Sequence, residues 1–204
     1  MKLKFLLSVA IIIFTATVVN AQKHEIAFTS GGLKVGERGF NLPQPGILKF
    51  KTGFTYQFNY AQRLVDAKIA SLYWEIPVAV TPKTKVSGTN ALSPSSYSSL
   101  FISPGLKLKL FPVGKFSPYA ALGFNVSRFN QGSRLLNNQP NPNESSETSA
   151  GLTIAGGVDI KVISKLSIRG EVRDFYAEVP PLNINALRSR QHNALISAGF
   201  VVRF

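Results

Sequence analysis

The chain contains no cysteine, which excludes disulfides, thiolate metal sites and a lipid-modified N-terminal cysteine. It has two histidines, too few for a histidine-rich metal cluster. Acids are scarce, at 10 against 23 lysines and arginines, giving a formal charge of +13. Past residue 19 no apolar run approaches the eighteen residues that a membrane-spanning helix needs. No glycine-rich phosphate loop, metal-spaced His/Cys cluster or carboxylate pair suggests a hydrolase.

What is present begins with Lys2 and Lys4, an apolar stretch from Phe5 to Val19, and Val19-Asn20-Ala21. A positive end, an apolar core and small or apolar residues at −3 and −1 form the layout of a cleavable secretory signal, expected to be residues 1–21. Residues 22–204 are then expected to form one domain, with no linker and no internal repeat beyond a hairpin rhythm. An exported basic chain meets an anionic membrane surface rather than nucleic acid, so no nucleic-acid partner is expected.

Strict alternation dominates the rest. In Leu100 to Leu110 every even position except Pro104 is Leu or Ile. Residues 152–162 and 194–204 alternate in the same way. Eight such segments are read at 24–35, 47–62, 69–81, 99–112, 116–129, 150–163, 166–177 and 193–204. Each is at least twice the usual strand length of about 5–6 residues. A tilted strand needs about 9–11 residues to cross a bilayer. Short turns follow segments two, four and six. Longer loops rich in Pro, Asn, Ser and Gly follow the others (36–46, 82–98, 130–149 and 178–192). An even strand count with this alternation of connections predicts an all-β, eight-stranded, antiparallel up-and-down transmembrane barrel, with short periplasmic turns and long extracellular loops.

The even-numbered face is bulky and nearly uncharged, and includes Phe28, Phe50, Phe54, Phe58, Trp74, Leu106, Phe124, Ile154, Val172 and Phe200. The odd-numbered face mixes glycines with charge. An eight-stranded barrel is only wide enough inside to be filled by side chains. The odd face is therefore expected inside, as an ion-pair network of Glu25, Lys51, Glu75, Lys107, Lys109, Asp159, Lys161, Arg169, Glu171, Arg173 and Arg203. Tyr56, Phe58, Tyr60, Trp74, Phe111, Phe116 and Phe204 are expected to form a girdle at the periplasmic ends. The opposite orientation, a soluble lipocalin-like carrier, would put the apolar face inside.

The last strand, Ala198-Gly199-Phe200-Val201-Val202-Arg203-Phe204, ends on Phe with Phe200 and Val202 alternating behind it. It resembles the C-terminal assembly signal of bacterial outer-membrane barrels. With the leader and the eight segments, the chain resembles the OmpA/OmpX-type outer membrane β-barrel domain family over essentially its whole mature length. That resemblance implies a Gram-negative cell envelope, a partner in the barrel-insertion machinery, contact with outer-membrane lipid and lipopolysaccharide, and a monomer. It implies neither a cofactor nor the cell-wall domain of larger OmpA proteins. It specifies an architecture rather than a reaction.

The expected function is a non-enzymatic structural or surface-interaction barrel; the alternatives are the soluble lipocalin-like carrier, a narrow channel, and a lipid A-modifying enzyme. The last would rest on His192 near the extracellular rim, with Ser189, Ser197 and Glu178 nearby. The sequence reads His192-Asn193-Ala194, without the His-x-Ser spacing of the deacylases. The loop bases Arg38, Lys83, Lys85, Arg134, Arg188 and Arg190 are candidate contacts for lipopolysaccharide phosphates.

Overall fold

The structure is a computed structural model that describes residues 23–40, 46–178, 182–183 and 190–204. The expected signal peptide and Arg188 lie outside the described residues. The strands in chain order are β1 (His24–Val35), β2 (Arg38–Phe40), β3 (Gly46–Phe50), β4 (Gly53–Ala67), β5 (Ala70–Gly88), β6 (Ser96–Ile102), β7 (Gly105–Leu110), β8 (Phe116–Gln131), β9 (Ser146–Lys161), β10 (Leu166–Glu178) and β11 (Arg190–Arg203).

Every pairing is antiparallel, and the sheet closes on itself. β1 pairs with β4 on one side and with β11 on the other. The ring continues through β5, then β6 and β7 together, then β8, β9 and β10. β6 and β7 are two halves of one stave, because both pair with β5 and with β8. They part at Ser103-Pro104, where proline has no N–H to donate to a ladder. The ring therefore has eight staves. β2 and β3 form a hairpin outside it that extends the sheet along the far end of β5, with Leu48 opposite Gly88.

Period-two alternation sorts the side chains as the pleat requires. In β7, Leu106 and Leu108 are exposed on the outer surface while Lys107 and Lys109 are fully buried inside. Large apolar groups stand exposed on every stave: Phe28, Phe58, Trp74, Leu106, Phe124, Ile154, Val172 and Phe200. A lipocalin-like carrier has the inverse arrangement, so that alternative is set aside.

Two segments depart from the sequence reading. The expected strand 47–62 is broken at Lys51-Thr52 into β3 and β4, and β3 leaves the ring. The expected strand 69–81 runs on to Gly88, through a register shift between Thr81 and Thr84. An extra residue in a strand inverts its alternation, so every later side chain changes face. Phe50, expected outside, instead packs against the buried core. The aromatic girdle is also smaller than expected. Tyr60, Trp74, Phe111, Phe116 and Phe204 lie toward the short-turn end, and His24 stacks between Tyr60 and Phe204. Phe58 sits in mid-belt opposite Phe28, and Tyr56 lies nearer the loop end beside Phe54.

The β1–β11 seam depends on glycine. A Cβ on Gly199 would lie 2.0 Å from the Phe28 carbonyl oxygen, and one on Gly31 would lie 1.9 Å from that of Ile196. These obstacles are backbone and cannot rotate away. Gly170, by contrast, has open space where a Cβ would go. Gly199→Val is expected to abolish the compact, heat-modifiable form on gels, while Gly170→Ala keeps it. Equal behaviour of the two variants would refute the steric argument.

Candidate functional site

The lumen is filled in two layers. Toward the short-turn end, the inward positions of the staves converge on nine buried charges: Glu25, Glu75, Asp159 and Glu171 against Lys107, Lys109, Arg169, Arg173 and Arg203. Glu25, near the start of β1, accepts from Lys107 Nζ at 2.9 Å and Arg203 Nε at 3.1 Å, and also from Lys109. Asp159 takes a two-pronged contact from Arg169, at 2.7 and 3.0 Å, with Lys109 at 2.7 Å. One level further in, Arg173 donates to Glu75 at 2.8 Å and to Glu171 at 2.9 Å. Lys107 links the levels, lying 3.5 Å from Glu75 as well as beside Glu25.

Neutral side chains complete the set. Gln57 and Tyr119 donate to Glu171 at 2.7 and 2.6 Å, and Asn59 donates to Glu75 at 2.9 Å. The Tyr119 ring lies 4.7 Å from the Arg169 guanidinium, and the Tyr73 ring lies 4.9 Å from Lys107 Nζ. The charged and neutral members come from β1, β4, β5, β7, β8, β9, β10 and β11, so all eight staves are cross-tied. Such charges are tolerable only when paired and hydrogen-bonded, because burying a lone ion is very costly.

Two of the eleven residues expected in this network lie outside it. Lys51 is exposed, because the break at Lys51-Thr52 turns it to the outer surface. Lys161, the last residue of β9 at the short-turn end, is half-buried and makes no ion pair among the described residues. Four acids therefore face five bases, nearer balance than the odd-position reading implied.

Toward the loop end the lumen has no buried charge among the described residues; there an apolar cluster packs beside neutral groups such as Thr55, Thr81, Ser127 and Asn193, a layer the alternation reading did not anticipate. Leu33, Val35, Ala79, Phe101, Phe129, Phe175 and Leu195 point inward from the staves. Leu48 from β3 and Leu182 from the loop after β10 fill the space above, both fully buried. Phe101 stacks on Phe175 with centroids 4.4 Å apart. Unlike Leu48 and Leu182, the members from the staves stand at odd-numbered inward positions, so their place was readable. That they form a separate layer was not, since strands distant in sequence supply it. Loops tie down over this plug: Asn183 donates to the Leu92 carbonyl and to Asn141, each at 3.1 Å.

The remaining candidates lie at the loop end. His192 is exposed on the outer face of β11, with Nδ1 2.5 Å from Asp174 Oδ2 and its ring tilted over Tyr176. The residues flanking this pair on the outer face are Tyr176, Ala194 and Lys34. Ser197 is buried on the inner face, and Ser189 lies outside the described residues. Among the described residues no serine hydrogen-bonds to this His–Asp pair, and acyl transfer by a triad needs all three. Arg38 reaches across to β11, donating to the Arg190 carbonyl at 2.6 Å and to Gln191 at 3.3 Å. Arg190 lies over the Tyr176 ring, and Arg134 donates to Asn138 at 3.3 Å. Lys83 and Lys85 are exposed.

Removing one member of the network leaves its partners charged and buried. Glu25→Ala is expected to destabilise the fold by about 3–5 kcal/mol, since it leaves Lys107, Lys109 and Arg203 with only Glu75 and Asp159 to compensate them. Lys161→Ala is expected to change stability by no more than about 0.5 kcal/mol. Urea titrations of the refolded protein in detergent compare the two directly.

No protein-family model matches the sequence, and no curated protein matches it. Solved structures do. Neisserial surface protein A superposes with a TM-score of 0.59 at 15% identity, covering 91% of this chain and 99% of that one. The outer membrane protein OprG from Pseudomonas aeruginosa gives 0.59 at 13%, covering 90% and 96%. The outer membrane protein AlkL, solved in lipid bilayers, gives 0.51 at 11%, covering 93% and 94%. At such identities the likeness speaks for the fold. This chain has the fold of the small eight-stranded outer-membrane β-barrels of the OmpA/OmpX type.

Proposed function

We propose that the chain is a non-enzymatic integral barrel of the bacterial outer membrane, with a structural or surface-interaction role and a plugged lumen. The observation that carries this reading is the belt of exposed apolar side chains on all eight staves. Soluble monomers rarely expose a contiguous apolar patch larger than a few hundred Å². Each large side chain left in water forgoes about 1.5–3 kcal/mol. A bilayer relieves that cost around the whole circumference, and the closed ring leaves no unpaired edge to face lipid. In this reading residues 1–21 are a cleaved export signal, residues 22–204 form the barrel, and the strand ending Phe200, Val202 and Phe204 is read by the insertion machinery. The barrel works as a monomer, surrounded by phospholipid and lipopolysaccharide.

The two lumen layers support a barrel that holds its shape rather than one that conducts. The charged layer is cross-tied, and above it lies a packed aromatic and aliphatic plug. Among the described residues no serine hydrogen-bonds to His192, as an acyl-transfer triad would need.

Expressed with its own leader, the protein is expected in the outer-membrane fraction and to migrate faster unboiled than boiled. Recovery in the soluble periplasmic fraction would overturn the proposal. In planar bilayers it is expected to give no steady conductance, and a sustained open channel would contradict the plugged lumen. Lipid A from expressing cells is expected to keep its mass. A shift abolished by His192→Ala would establish the enzyme instead.

A further inference from the structure

At the loop end of β3 to β5, two irregularities in adjacent strands act together. The break at Lys51-Thr52 and the register shift at Pro82-Lys83 each invert the alternation of their strand. They lie side by side: a Cβ on Gly53 would touch the side chains of Thr81 and Thr84, with the Lys83 carbonyl 3.5 Å away. Past them, Lys51 N donates to Lys85 O at 2.9 Å, Lys49 stands opposite Ser87, and Phe50 stands opposite Val86. Unbroken alternation would turn Lys49, Lys51, Lys83 and Lys85 all inward. Instead all four are exposed on one outer surface. The reverse side carries Leu48, Phe50, Thr84 and Val86 against the buried core, so packing holds the lysine face in place.

Among the described residues one acid pairs into this cluster, Glu37, at 3.5 Å from Lys49. The outer surface of the neighbouring staves adds hydroxyl and amide groups. Ser96 stands opposite Lys85, and Ser98 accepts from Asn130 at 3.4 Å. Directly below on the same face, Phe54 and Val80 are exposed and belong to the apolar belt. Phe54 lies three residues from Lys51, about 10 Å along an extended strand. A lipid whose acyl chains lie against Phe54 and Val80 would thus hold its headgroup among the lysines.

We infer that Lys49, Lys51, Lys83 and Lys85 form a binding face for the phosphorylated sugar headgroup of an outer-leaflet glycolipid, with Phe54 and Val80 beneath it taking the acyl chains. This rests on the proposed outer-membrane location. It differs from a general attraction of basic loops to phosphate in naming one face built by paired irregularities, and in excluding Arg38, which is committed to β11. Four ammonium groups match clustered phosphate oxygens through charge-assisted hydrogen bonds. The apolar floor selects a lipid over a soluble polyanion.

The test uses the full refolded barrel in detergent micelles, with bisphosphorylated lipid A and fully dephosphorylated lipid A as probes, read by native mass spectrometry and calorimetry. The combined Lys49→Gln, Lys51→Gln, Lys83→Gln, Lys85→Gln variant is expected to bind the bisphosphorylated lipid roughly tenfold or more weakly. Wild type should prefer that lipid over the dephosphorylated one by a similar factor. Gln substitutions at Lys68, Lys115 and Lys165, on the short turns, should leave binding unchanged. The inference is overturned if the quadruple variant binds as wild type, if the dephosphorylated lipid binds equally well, if the short-turn variant loses as much, or if dextran sulfate binds wild type as tightly as lipid A does. The heat-modifiable band reports folding. Should the quadruple variant not fold, Lys83→Gln with Lys85→Gln alone must give an intermediate loss. Micelle binding is measured independently of cell fractionation, so failure of the membrane location and failure of this site give different results.

Discussion

A ring of eight tilted staves encloses a space too narrow for anything but side chains. Filling that space is the constraint on which the rest of the structure depends. Where charges fill it, they must be mutually compensating, because taking a lone ion out of bulk water is very costly. Glu25 and Asp159 gather cations from β7, β10 and β11, while Glu75 and Glu171 share Arg173. Where the filling is apolar, it must be packed, and the Phe101–Phe175 stack with Leu33 and Leu195 does this. Glycines at Gly31 and Gly199 let the first and last staves approach closely enough to complete the ring.

The same constraint explains the outer surface. With the polar complement spent inside, the alternate residues outside are free to be apolar along the length of each stave. The barrel is therefore turned inside out relative to a soluble domain, and its outer belt suits a hydrocarbon solvent. The strictness of the pleat makes this possible, since one residue faces the lumen and the next faces out with no intermediate class. Where the chain leaves the belt, that strictness is broken by an inserted residue. The outer face then changes from Phe54 and Val80 to lysines within a few residues.

Much of this could be read without a structure. The length of the alternating segments, their even number, and the rhythm of short and long connections specify the ring, because they follow from local geometry and bilayer thickness. The nine network charges stand at odd positions in regular stretches, where parity predicts direction. Lys51 and Phe50 escaped prediction because parity survives only as far as the first irregularity. Nothing local in Phe50-Lys51-Thr52-Gly53 or Thr81-Pro82-Lys83-Thr84 shows how many residues the partner strand will skip. His192 and Asp174 sit eighteen residues apart on neighbouring staves. Only the register of β10 against β11 brings them together.

By itself, then, the order of residues determined which way each regular stave faces, how long it is, and how many there are, since these depend on period and length within one segment. The tertiary structure alone decided which acid meets which base, where the lumen changes from charged to uncharged, and where Lys49 and Lys51 point. Each of those depends on the alignment of strands that are far apart in the chain. The alignment is set by the closure of the ring, where the bulges fall, and what the interior can hold.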